Sequence, residues 1–117
     1  AGAAGWSALR EFAADRASQA PWEEVSGAYE RLHSLVLDSL DARYRIGARS
    51  LSRERLKELL VGERGLPSES WRGIEEALEH AEMVRFASAA GAVSESAARG
   101  ELKRRIDAAE ACLQVLP

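Results

Sequence analysis

Cysteine occurs once in these 117 residues, at Cys112. A single thiol excludes an internal disulfide framework and any site built from several cysteine ligands. It also suits a reducing compartment. Lysine is nearly missing too: of 16 basic residues only Lys57 and Lys103 are lysines, the rest being arginines. Aromatic residues make up only 6%, and no alternating apolar runs occur, so strand signals are lacking. No apolar run approaches ~18 residues, so no segment reads as a membrane span. The opening AGAAGWSALREFAADR has neither a basic start nor a long apolar stretch and does not read as a secretory signal. A formal net charge of -3 and a pI near 5.5 argue against a dedicated nucleic-acid binder, which is usually basic.

What the chain does contain is helix-forming material. Apolar residues make up 46% and charged residues 30%, the balance of a globular domain with one core. Alanine, leucine, glutamate and arginine dominate, all good helix formers. The spacing predicts an all-α antiparallel bundle of about five helices, four long and one short at the N-terminus, in a single domain over residues 1–117. The short helix spans Trp6 to Ser18, with Trp6, Leu9, Phe12 and Ala13 on one face. Pro21 suits the first turn of the second helix. There Trp22, Val25, Tyr29, Leu32, Val36, Leu40 and Arg43 step by threes and fours as far as Tyr44, and Gly47 breaks the run. Ser52 is the expected N-cap of the third helix, whose buried face is Leu56, Leu59 and Leu60. Gly65 suits a left-handed C′ position, and Pro67 blocks continuation. Ser68 is the expected cap of the fourth helix, with a stripe of Trp71, Ile74, Leu78, Ala81 and position 85. After the loop SAAGAVSES, Ser94 or Ser96 starts a fifth helix carrying Leu102, Ile106, Ala109, Leu113 and Leu116.

Two stretches invite a metal-site reading. Glu30 and His33 have the Glu-x-x-His spacing of carboxylate-bridged bundles. The second motif fails, because Ala77 stands three residues before His80, and Glu76 stands four before it. At 100° per residue, His80 lies about 130° from the centre of its helix's apolar stripe and Glu76 roughly opposite that centre. Bundle ligands project inward, so these two are expected in solvent, Glu30 off its stripe and His33 half-buried. No metal or cofactor is expected. Catalytic residues are not expected either. Cys112 reads as a small packed side chain, neither histidine has a serine or cysteine partner motif, and the glycines at 62 and 65 lack a P-loop's Lys-Ser/Thr.

Charge is segregated along the chain. Arg43, Arg45, Arg49, Arg53, Arg55 and Lys57 stand against only Glu54. Further on, Glu69, Glu75, Glu76, Glu79 and Glu82 stand against only Arg72. Two solvated surfaces that pair weakly would account for this. A partner-docking face, made of Arg43, Arg45, Arg49, Arg53, Arg55, Glu75, Glu76 and Glu79, would account for it too. Anionic lipid or RNA is disfavoured, since the basic stretch has no interleaved aromatic beyond Tyr44. Arg85 falls near the centre of an apolar face, where arginine needs a partner. A structural role is expected for it, with Glu82 three residues away.

The run LSRERLKELLVGERGLPSESWRGIEEALEHAEMVRFA resembles the soluble C-terminal region of BatD-type aerotolerance proteins. The resemblance rests on Leu51-Ser52-Arg53-Glu54, on Arg64-Gly65, and on Glu82-Met83-Val84-Arg85-Phe86-Ala87. The preceding AYERLHSLVLDSLDARY is similar to the family's Tyr-x-x-Leu helix. Coverage is roughly residues 26 to 116. The resemblance implies a non-catalytic interaction domain of a bacterial membrane-anchored parent, on the cytoplasmic face of the inner membrane. It also implies partners among MoxR-type ATPases or von Willebrand A-domain proteins. Glu82, Arg85 and Phe86 carry over as signature positions only. The rival readings are a metal- or small-ligand-binding bundle using Glu30, His33, Glu76 and His80, and a free-standing cytosolic helical regulator.

Overall fold

The computed structural model describes residues 2–87 and 94–116. Among these residues there are no strands, and five helices pack as an all-α antiparallel bundle. Helix α1 spans Gly2–Asp15, α2 Trp22–Tyr44, α3 Arg53–Lys57, α4 Ser68–Ala87 and α5 Glu95–Gln114. A 3-10 turn at Ala48–Ser50 precedes α3, and a π-helical turn at Glu58–Glu63 continues it. The lengths differ from expectation in one respect: α3 is the shortest helix, and α1 has 14 residues.

Local sequence explains most boundaries. The Pro21 ring presets its φ at -55° just ahead of α2, and the Pro21 carbonyl accepts the N–H groups of Glu24 and Val25. Ser52 Oγ accepts the Arg55 N–H at 3.1 Å, and Ser94 Oγ accepts the Ala97 N–H at 3.3 Å, so both serines cap. Ser94 rather than Ser96 therefore starts α5. Of the expected loop at 88–96, residues 88–93 lie outside the described residues. Ser68 is the first helical residue of α4, not a residue ahead of it, and the Pro67 carbonyl accepts the Trp71 N–H at 3.1 Å. Gly65 has φ 72°, the left-handed conformation that ends a helix. The Leu66 N–H then reaches the Leu60 carbonyl at 2.9 Å, and Leu66 is buried. Helix α2 ends at Tyr44, as expected, three residues before Gly47. Arg45 takes the left-handed conformation (φ 54°) and donates its N–H to Asp41 O. The Asp41 carboxylate accepts the Ala48 N–H at 2.5 Å, which fastens the turn after Gly47.

Helix α2 is the hub, touching α1, α4 and α5, while α5 also packs on α1 and α4. Ion pairs and hydrogen bonds give the directions. Glu30 meets Arg85 and His33 meets Glu82, so α2 and α4 run antiparallel. Tyr29 meets Ala98 and Arg43 meets Leu116, so α2 and α5 run parallel across the diagonal. The core is the expected stripes: Val25, Tyr29, Leu32, Val36 and Leu40 of α2 are all at most 1% exposed, as are Ile74 and Leu78 of α4 and Leu102 and Ile106 of α5. Each such leucine or isoleucine contributes roughly 1.5–3 kcal/mol on burial. Gly73 lets α4 and α5 close up, since a Cβ there would stand 2.4 Å from Cys112 Sγ.

Arginines fasten the helix ends. Arg99 of α5 donates to the carbonyls of Ala17 and Ala20, just past α1, at 3.0 and 2.6 Å. Arg64 donates to Tyr44 O at the end of α2, and Arg43 of α2 donates to Leu116 O just past α5. Tyr44 O is one of the last-turn acceptors that a helix terminus leaves unpaired, and the other carbonyls belong to the segments that follow α1 and α5. The planar, multi-donor guanidinium suits them.

Candidate functional site

The residues singled out from the sequence sort into two networks and one exposed spot along α4. The first network joins α2, α3 and α4. Glu82 Oε2 accepts a hydrogen bond from His33 Nε2 at 2.7 Å and from Arg53 at 2.6 Å. Burial raises the Glu82 carboxyl, but the His33 bond and the Arg53 charge and bond outweigh it, so the group sits below the usual carboxylate range. Beside it Arg85 lies 3.8 Å from Glu30 and 5.3 Å from the centre of the Phe86 ring. The expected stripe does not continue through Arg85. Val84, 1% exposed, takes that place, because Ala81 plus three residues falls on the buried arc. Arg85 is half-buried beside the stripe and ties α4 to α2.

The second network joins α2, α4 and α5, and it corrects the sequence expectation for His80. That side chain is only 15% exposed, not solvated. Its ring lies 5.5 Å from the Tyr29 ring, and Nε2 is 3.3 Å from Glu101 Oε2. Helix α4 is covered by α2 on one side and α5 on the other, so its buried arc is wider than its apolar stripe. Glu76 is exposed as expected and pairs with Arg105 of α5 at 3.2 Å. Burial and the nearby Arg105 depress the His80 imidazole, partly offset by Glu101. Tyr29 donates to Ala98 O at 2.6 Å, and burial, with the Glu101 charge, pushes its phenol up to about 12.

The four residues of the metal-site reading therefore go to separate partners: Glu30 to Arg85, His33 to Glu82, Glu76 to Arg105 and His80 to Glu101. Among the described residues, no group of three or more His, Cys, Asp and Glu side chains is placed to hold a metal ion. Cys112 is half-buried opposite Gly73. An open groove of about 390 Å³ is lined by Trp6, Arg43, Glu110, Leu113 and Leu116. Its charged groups are already engaged, Arg43 with Leu116 O and Glu110 with Arg10.

The residues of the expected docking face do not act as one set. Arg49 pairs with Asp38, Arg53 with Glu82, and Arg55 with Glu58 and Glu63. Arg43 holds a helix end and Glu76 reaches α5. Arg45 and Glu79 are exposed, and Glu75 is half-buried. What the sequence reading passed over is Met83. It is 53% exposed, and Phe86, three residues on, is 68% exposed. The i, i+3 spacing puts them side by side on α4. The signal was present in the off-stripe phase of both residues. Among the described residues no helix is long and apolar enough to cross a membrane. Comparison with protein-family models, with curated proteins and with solved structures gave no match.

Proposed function

We propose that this chain is a non-catalytic protein-interaction module of a membrane-anchored bacterial aerotolerance protein of the BatD type. Its partner class is a MoxR-type ATPase or a von Willebrand A-domain protein. The observation that carries the docking role is the Met83–Phe86 pair. Two large apolar side chains stand in water on a helix whose core face is already full. Aromatic and methionine side chains at such a spot are favoured anchors for a partner. Arg85, which lies against the Phe86 ring, and the exposed Glu79 supply a charged surround that sets orientation. The BatD parentage rests on the sequence resemblance alone, and a transmembrane segment encoded upstream of this chain would support it.

The test is calorimetry with purified partners of both classes from the same genome. Phe86→Ala is expected to weaken binding by about ten-fold or more, the cost of losing one anchor. An exposed side chain contributes little to folding, so the melting temperature should stay within about 0.5 kcal/mol of equivalent stability. Binding that is indifferent to Phe86→Ala overturns the assignment of this spot. No binding to either class overturns the partner assignment.

A further inference from the structure

His80 is held in a position that suits only its neutral form. Nε2 faces Glu101, and Nδ1 is buried with no hydrogen-bond partner among the described residues. A neutral imidazole protonated at Nε2 donates to the carboxylate and leaves a lone pair at Nδ1, a tolerable loss. The imidazolium would instead bury an N–H donor at Nδ1 with nothing to receive it, which costs the full desolvation of that group. The charged surroundings offer little relief. From α2 the facing group is the un-ionised Tyr29 phenol, bonded to Ala98 O. On α4 itself Glu76 lies one turn back, and Arg105 pairs with it. From α5 come Glu101 and Arg105, and Glu101 is shared with Arg104 at 3.2 Å and Arg105 at 4.0 Å.

The same patch anchors the N-terminal half of α5. Toward α2 and α4, Tyr29–Ala98, His80–Glu101 and Glu76–Arg105 are its polar fastenings, and Ala98, Leu102 and Ile106 its buried side chains, while Arg99 holds the same half to Ala17 O and Ala20 O. The geometry points to an acid-responsive latch: protonation of His80 loosens the N-terminal half of α5 from α2 and α4. Once α5 lifts, the imidazolium finds water for Nδ1–H, so the loosened state binds the proton better and acid favours it. The lowered imidazole gives the same sign: the closed state has its full stability above the ordinary value of 6.5 and loses it as pH falls from there. The latch is independent of the docking role and stands or falls separately from it.

Amide hydrogen exchange, corrected for its intrinsic pH dependence, reads the latch directly. From about pH 7.5 to about pH 5.5, protection of the α5 amides around Ala98 to Ile106 is expected to fall several-fold, with about ten-fold as the bound for a single imidazole. His80→Gln and His80→Phe should abolish that fall, and His33→Gln should preserve it. Protection that does not change with pH in the unaltered protein overturns the latch, and so does a fall that persists in both His80 variants. Should neither variant fold, the NMR titration of His80 in the unaltered protein decides. A midpoint below 6.5 with α5 shifts tracking it supports the latch, and a midpoint at or above 6.5 overturns it.

Discussion

Two carboxylate–histidine pairs stand two residues apart on α4, and they are built in opposite ways. At Glu82 the acid belongs to α4 and collects donors from His33 and Arg53. Every charge there has an opposite charge beside it. At His80 the base belongs to α4, and one ring nitrogen is left buried without a partner among the described residues. The first pair ties α2 and α3 to α4, and its carboxyl favours the charged form. The second lies beneath α5 and favours its neutral form. The lesson is that the same two residue types give a brace or a weak point according to whether all hydrogen-bonding atoms are satisfied.

The largest expected effect removes what both pairs rest on. Leu78 lies under this part of α4 and is fully buried. Leu78→Ala should cost about 2–5 kcal/mol in urea unfolding, and a loss below about 1 kcal/mol would show that the networks rather than the core hold α4. Next comes Glu82→Gln, which leaves Arg53 and His33 without their shared carboxylate. A loss of about 1–2 kcal/mol at neutral pH is expected, modest because the group is partly solvated. The Glu82 carboxyl is lowered on folding, so its contribution is complete above the ordinary value of 4.5 and is lost as pH falls through the lowered value. Stability of the Gln variant should therefore vary less with pH in that acidic range. An unchanged slope would mean that Glu82 is not the brace. This loss begins below 4.5, whereas that of His80 begins below 6.5, so the two pairs differ in the pH at which they start to weaken. The smallest effect lies at neither pair. Arg45→Gly relieves a left-handed side chain at the end of α2, and a gain of up to about 1 kcal/mol is expected by thermal unfolding.

Periodicity made the architecture legible. The stripes of α2, α4 and α5 and the caps at Ser52 and Ser94 are local properties, written within a few residues of where they act. The networks are not local. The sequence shows that Glu101 and Arg105 are four residues apart on α5, but not that α5 lies over His80. The phase of its own helix therefore points His80 to solvent, whereas a second neighbouring helix covers it. A step of four from Ala81 puts Arg85 on the apolar stripe, whereas a step of three reaches Val84, the residue the fold buries. The segregated charge leaves two readings open, weakly paired solvated surfaces or a docking face, and in the fold most of those side chains bind within the chain.

The arginines at the helix ends form a chain of dependence. The end of α1 is held from α5, the end of α5 from α2, and the end of α2 by Arg64 beyond the π turn. Fraying normally begins at helix termini because their last carbonyls cost little to release. Here the last turn of α2 and the segments just past α1 and α5 cannot come loose without breaking a charge-assisted bond to another part of the bundle. The last turn of α2 and the segments that follow α1 and α5 are thereby drawn into the cooperative unfolding unit.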